Sequence, residues 1–141
     1  MKFRTLIILF ALVFISSCDP SEDRMVFYNN TNKIINAELL NLNDSAKTII
    51  LPYRSINSKS KERFVKLSSW ESVFDNLKPD TLIQIVVYEN FDKSIFDNAY
   101  RKKLLKTGKY QYKSYSYKEL EEQNWEINYP NDGFKTGLVV K

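Results

Sequence analysis

Few of the side chains that usually carry reactions are present in this chain. It has no histidine, which removes the commonest general base, the serine–histidine–aspartate triad and most transition-metal sites. Its single cysteine is Cys18. Gly108, Gly133 and Gly137 are its only glycines, too few and too scattered for a phosphate-cradling loop. Carboxylates remain, and Glu71, Asp75, Asp80, Glu89, Asp92 and Asp97 are the candidates for a glycosidase-like pair. Nothing in their spacing sets two of them across a cleft, and solvated surface carboxylates are the plainer reading. No catalytic residue, metal site or cofactor is therefore expected.

Binding chemistry has more material. Arg101, Lys102, Lys103, Lys106, Lys109 and Lys113 form a basic stretch around Tyr110 and Tyr112. Lys109, Tyr110, Tyr112, Lys113, Tyr115 and Tyr117 are a candidate ligand or partner face, with cations for an anionic group and rings that can stack on sugars, Tyr129 adding another. The competing reading is a solvated helix end followed by an edge strand, since aromatic residues in strands more often pack than bind. Glu119, Glu121 and Glu122 also lie close by. Single-stranded nucleic acid would use similar chemistry, but the N-terminal address makes no nucleic-acid partner the expectation.

That address begins with Lys2 and Arg4, followed by ten uninterrupted apolar residues, Leu6 to Ile15. As a helix they span roughly 15 Å, half of a hydrocarbon core of about 30 Å. They read as the apolar region of a signal peptide, residues 1–17. Ile15-Ser16-Ser17-Cys18 resembles the lipobox of bacterial lipoproteins. The resemblance implies cleavage between Ser17 and Cys18 and acylation of the Cys18 thiol, with no cofactor. The mature chain would be anchored to a membrane without spanning it. An acidic tether, residues 18–24, contains Asp19-Pro20-Ser21-Glu22-Asp23. It resembles outer-membrane sorting and surface-export signals, so an outer-membrane, lipid-anchored location is expected, on the periplasmic or the outer face.

Loss of Lys2 and Arg4 with the leader lowers the net charge from +4 to +2, so the basic balance of the whole chain is no argument for a polyanionic partner. Residues 25–141 are expected to form one extracytoplasmic domain. Nine tyrosines, six phenylalanines and two tryptophans of these residues supply its core, and no repeat divides it.

The patterning predicts about eight strands: 25–28, 33–40, 47–51 ended by Pro52, 62–67, 81–88, 110–117, 124–129 and 134–140. The run at 81–88 is apolar on both faces and should be central. The tyrosines at 110–117 change parity midway, which predicts a β-bulge near Lys113-Ser114. Trp125, Ile127 and Tyr129 alternate with polar residues and should be buried. Ser68-x-x-Glu71 and Ser116-x-x-Glu119 have capping-box spacing and predict short helices. A longer helix over 94–106 should bury Phe96, Tyr100 and Leu104 and stop at Gly108. This pattern favours a mainly β fold, an antiparallel β-sandwich with two or three short helices. The alternative is an α+β sheet with one helix packed on a face.

Four segments, Asn29-Asn30-Thr31, Ser69-Trp70-Glu71-Ser72-Val73-Phe74, Asp80-Thr81-Leu82-Ile83 and Tyr117-Lys118-Glu119-Leu120 leading to Asn124-Trp125-Glu126-Ile127-Asn128-Tyr129-Pro130, resemble in order and spacing a family of small uncharacterised Bacteroidota lipoproteins. The chain departs from that pattern over 89–109. The resemblance implies a location and no activity. Asp44-Ser45-Ala46 resembles an O-glycosylation site of the same phylum, with Ser45 in an expected loop. Asp80-Thr81-Leu82 fits the same pattern, but Thr81 begins a strand expected to be buried. A non-enzymatic envelope module that binds a protein or a glycan is the leading expectation. A small carboxylate-dependent glycan-acting enzyme is the alternative.

Overall fold

A computed structural model of the chain describes residues 22–41, 49–66, 69–75, 82–89 and 97–137. Ser17, Cys18, Ser45, Thr81, Asp80, Asp92 and Phe96 lie outside the described residues, as do the leader and residues 138–141. Among the described residues there are eight strands and three helices. The strands are β1 Glu22–Asn29, β2 Ile35–Asn41, β3 Ile49–Ile56, β4 Ser60–Lys66, β5 Ile83–Tyr88, β6 Gln111–Tyr115, β7 Glu126–Tyr129 and β8 Lys135–Thr136. The helices are α1 Trp70–Asp75, α2 Asn98–Thr107 and α3 Tyr117–Glu122.

The strands form a β-sandwich. One sheet has the order β4-β1-β7 and the other β3-β2-β5-β6-β8. Every pairing is antiparallel except β1 with β7, which is parallel. The all-antiparallel expectation is corrected at that point. Alternate residues of both sheets fill the space between them: Met25 and Phe27 from β1, Phe64 from β4, Ile127 and Tyr129 from β7 meet Ala37, Leu39, Ile85 and Val87 of the larger sheet. Burial of each large side chain stabilises by about 1.5–3 kcal/mol relative to exposure.

β5 is the central strand its apolar run predicts, with all six residues buried. Its second face is buried because α2 lies on the outside of the five-stranded sheet. Leu40, Val86 and Tyr88 pack there against Leu104 and Tyr110. The sandwich and the helix on a sheet face, weighed above as alternatives, thus coexist in one three-layer arrangement.

Several local expectations are corrected. Pro52 does not end its strand, because β3 is an edge strand and the register slips between Leu51 and Arg54, where a residue without an N–H is tolerated. No bulge occurs in β6, which pairs with β5 in continuous register. The parity change of its tyrosines reflects burial on both faces. β7 begins at Glu126, since Asn124 and Trp125 are left-handed, with φ of 54° and 59°. The last strand is confined to Lys135–Thr136 within the described residues. α1 starts at Trp70, with the Oγ of Ser69 before it accepting from the Ser72 N–H at 3.1 Å, and Ser68 lies outside the described residues.

One corner ties the two sheets together. β1 passes to β2, and β3 to β4, at the same end of the sandwich. Asn29 is buried between the two crossings. Its amide group donates toward the carbonyls of Lys33 and Asn57, both at 2.8 Å, and of Ile56 at 3.2 Å. Its Oδ1 accepts from the Thr31 N–H at 3.0 Å and hydroxyl at 2.7 Å. The Asn-rich turn legible in the sequence is thereby specified by one buried amide.

Candidate functional site

The six residues of the expected binding face do not share a surface. Tyr115 is fully buried between the sheets, and burial, before the neighbouring Asp132 carboxylate, pushes its hydroxyl pKa up. Tyr117 is the first residue of α3 and packs edge-on against Phe74 and Trp125 at 5.3 and 5.5 Å between ring centroids. Tyr110 and Tyr112 belong to the opposite face of the larger sheet, beneath α2, their rings 6.1 Å apart. Tyr110 is buried, so its ring serves packing. Lys113 reaches back over the Tyr115 ring at 4.5 Å. Period-two reasoning fails here because both faces of β6 are covered.

What the fold does assemble is a cleft of about 450 Å³ beside β6. Its position follows from the two ends of α2. Asp97 starts the helix, its Oδ1 accepting from the Tyr100 N–H at 2.8 Å. Gly108 stops it in the left-handed conformation at φ 70°, with its N–H on the Leu104 carbonyl, as the sequence predicts. The chain then doubles back into β6. Lys103 and Thr107 of α2 thus form one wall, and Lys109 and Tyr110 the turn below it. Gln111 and Thr136, which pair across the β6–β8 ladder, close the other side. Glu89 lines the same cleft, held by the Tyr129 hydroxyl, which donates to it at 2.5 Å, with Lys33 Nζ 3.9 Å away.

A second concavity of about 210 Å³ adjoins the ladder, lined by Tyr112, Lys113, Ser114, Gly133 and Lys135. Gln111–Thr136 and Tyr112–Lys135 are neighbouring rungs, so both hollows border the same β6–β8 ladder. Of these residues the sequence pattern marks Lys103, Lys109, Tyr110, Tyr112, Lys113 and Glu89. Thr107, Gln111, Thr136 and Lys135 were missed, for polar residues near a strand end carry no signal until the topology sets them side by side.

The described carboxylates have structural work. Glu71 accepts from Arg24 at 2.5 Å and from the Tyr117 hydroxyl at 2.8 Å. The Arg24 guanidinium, chiefly, holds its carboxyl down at about 2. Burial, then the bond to Glu71, pushes Tyr117 up to about 12. Asp97 caps α2, and Glu119 completes the capping box with Ser116. Among the described residues no group of three could hold a metal.

One ionic cluster was not foreseen. Arg101, read as part of the basic surface, is buried, and its Nε donates to both oxygens of Glu38 at 2.8 and 2.5 Å. The Tyr88 hydroxyl also donates to Glu38. Burial raises the Glu38 pKa, partly offset by Arg101 and Tyr88. The sequence signal was a lone glutamate inside the apolar stretch of β2. No family model, curated protein or solved structure matches this chain.

Proposed function

We propose that this protein is a lipid-anchored envelope lipoprotein, of the kind its resemblance implies, that binds a ligand in the cleft between α2 and the β6–β8 ladder. The observation that carries the binding half is the cleft itself, about 450 Å³ and within the ~300–1,000 Å³ of small-ligand sites. The lipobox at Ile15–Cys18 carries the anchoring half.

Geometry relates the two. If Cys18 is the anchor, three residues link it to the start of β1 at Glu22, a reach of at most about 14 Å over four Cα–Cα steps. β1 then runs roughly 25 Å to Asn29, which pairs with Tyr129, whose hydroxyl meets Glu89 of the cleft. The anchor and the cleft therefore belong to opposite ends of the sandwich, and an anchored domain would present the cleft away from the bilayer. The engagement of Glu38, Glu71, Glu89, Asp97 and Glu119 in packing and capping favours binding over hydrolysis.

The test is metabolic labelling with a clickable fatty acid. Wild type should label and Cys18→Ala should not. Equal labelling of both would overturn the anchor.

A further inference from the structure

Resting on that binding reading, we infer that the two hollows along the β6–β8 ladder take a carboxylate-bearing saccharide chain, with one acidic unit in each. Charge is the first ground. Lys103 and Lys109 line the larger hollow and Lys113 and Lys135 the smaller, and among the described lining residues these four lysines outnumber one carboxylate, Glu89. Glu89 is itself engaged by Tyr129 and approached by Lys33. None of the four lysines forms an ion pair with a described residue. The charges of Lys103, Lys109 and Lys135 are available to a ligand, and Lys113, whose Nζ lies 4.5 Å over the Tyr115 ring, adds a fourth at the margin of the smaller hollow.

The neutral groups narrow the class. Thr107, Gln111 and Thr136 interleave with the lysines in the larger hollow, and Ser114 does so in the smaller. Such donors and acceptors match hydroxyl groups. Half-buried Tyr100 and Tyr112 add ring surface at the two hollows. Phosphate fits less well. Among the described residues no arginine lines either hollow, so the planar bidentate fork is missing from them. The helix end at the larger hollow is the C-terminus of α2, whose carbonyls repel a dense anion and accept from sugar hydroxyls. Lysines divided between the two hollows suit single charges repeated along a chain.

The test uses the full-length gene product in non-ionic detergent, titrated by calorimetry with a galacturonate tetrasaccharide, its neutral galactose counterpart, a galacturonate disaccharide and an octaglutamate peptide. The acidic tetrasaccharide should bind at least tenfold tighter than the neutral one, and more weakly as salt rises. Lys103→Gln/Lys109→Gln should weaken both acidic sugars about tenfold or more. Lys113→Gln/Lys135→Gln should weaken the tetrasaccharide more than the disaccharide. All four positions are outside the core, and unchanged unfolding midpoints will confirm that the variants fold. Equal affinity for the neutral sugar overturns the charge assignment, and octaglutamate binding as tightly overturns the saccharide class. Equal loss of both acidic sugars in the second variant overturns the division between two hollows. Absence of galacturonate binding in a protein that still acquires lipid at Cys18 overturns the ligand class and leaves the anchor standing.

Discussion

Trp125 carries three demands at once. It closes α3 by donating its N–H to the Leu120 carbonyl at 2.7 Å, and opens β7 by accepting from the Val26 N–H at 2.9 Å. Its ring lies 5.6 Å from that of Trp70 and 4.2 Å beneath the Arg24 guanidinium. To do so it holds a φ of 59°, a region that bulky residues rarely occupy and that costs on the order of 1–3 kcal/mol. Packing must outweigh that strain. Trp125→Ala is therefore expected to lower the unfolding free energy by about 3–5 kcal/mol, read from urea denaturation. A midpoint unchanged from wild type would mean that the ring is not packed. At this scale the sequence was informative: alternation alone identified Trp125, Ile127 and Tyr129 as buried, and all three are. It could not show that the strand starts one residue after Trp125. The left-handed pair that precedes it is set by the tertiary need to reverse α3 into β7, not by local preference.

Among the elements, α2 is the least ordinary, because it covers a sheet face that is partly polar. Its buried contacts combine Leu104 with the Arg101–Glu38–Tyr88 cluster. A buried ion pair is costly to desolvate, so it contributes little net stability when whole and is damaging when halved. Arg101→Ala should strand the Glu38 charge and cost about 3–5 kcal/mol. Glu38→Leu/Arg101→Met/Tyr88→Phe, which removes every member together, should come within about 1 kcal/mol of wild type or exceed it. Additive losses in the triple variant, measured by the same denaturation series, would show that the cluster itself stabilises α2. The helix was legible through Gly108 and its basic last turns, and the Ser116–Glu119 box through its spacing. The place where α2 docks was not legible. It depends on Glu38, 63 residues away from Arg101 in the chain, and no local pattern reports such a pairing. The cleft has the same origin. Its lysines and tyrosines come from one visible stretch, but Glu89 and Thr136 arrive from β5's end and β8, so the sequence displayed half of the site.

The molecule as a whole must fold without an internal disulfide, since Cys18 is its only cysteine, so its response to acid is set by how the charges sit on the core. Two signs compete. Glu71, at about 2 against an ordinary 4.5, has a depressed folded-state pKa. Its contribution is complete above the unfolded value and is lost as pH falls toward the folded one. Glu119 is lowered as well, first by the backbone bond at Ser116, and acts in the same direction. Glu38 is raised by burial. Its contribution is complete below the unfolded value and declines as pH rises through the folded one. Glu71 leaves nearly half of its side chain exposed, 46 %, so solvent screens its share, and salt should reduce it further. The expected outcome is a fall in unfolding free energy between about pH 4.5 and about 2 that is shallower in Glu71→Gln than in wild type. Glu38→Gln should leave the fall in that window as in wild type and act instead above the ordinary 4.5, where it removes the loss of stability with rising pH. Denaturant titrations at half-unit pH intervals, in low and high salt, measure all three slopes. If the Glu71→Gln curve runs parallel to wild type through that window, Arg24 does not hold the carboxylate in solution, and the clamp between β1, α1 and α3 at the start of the domain is absent.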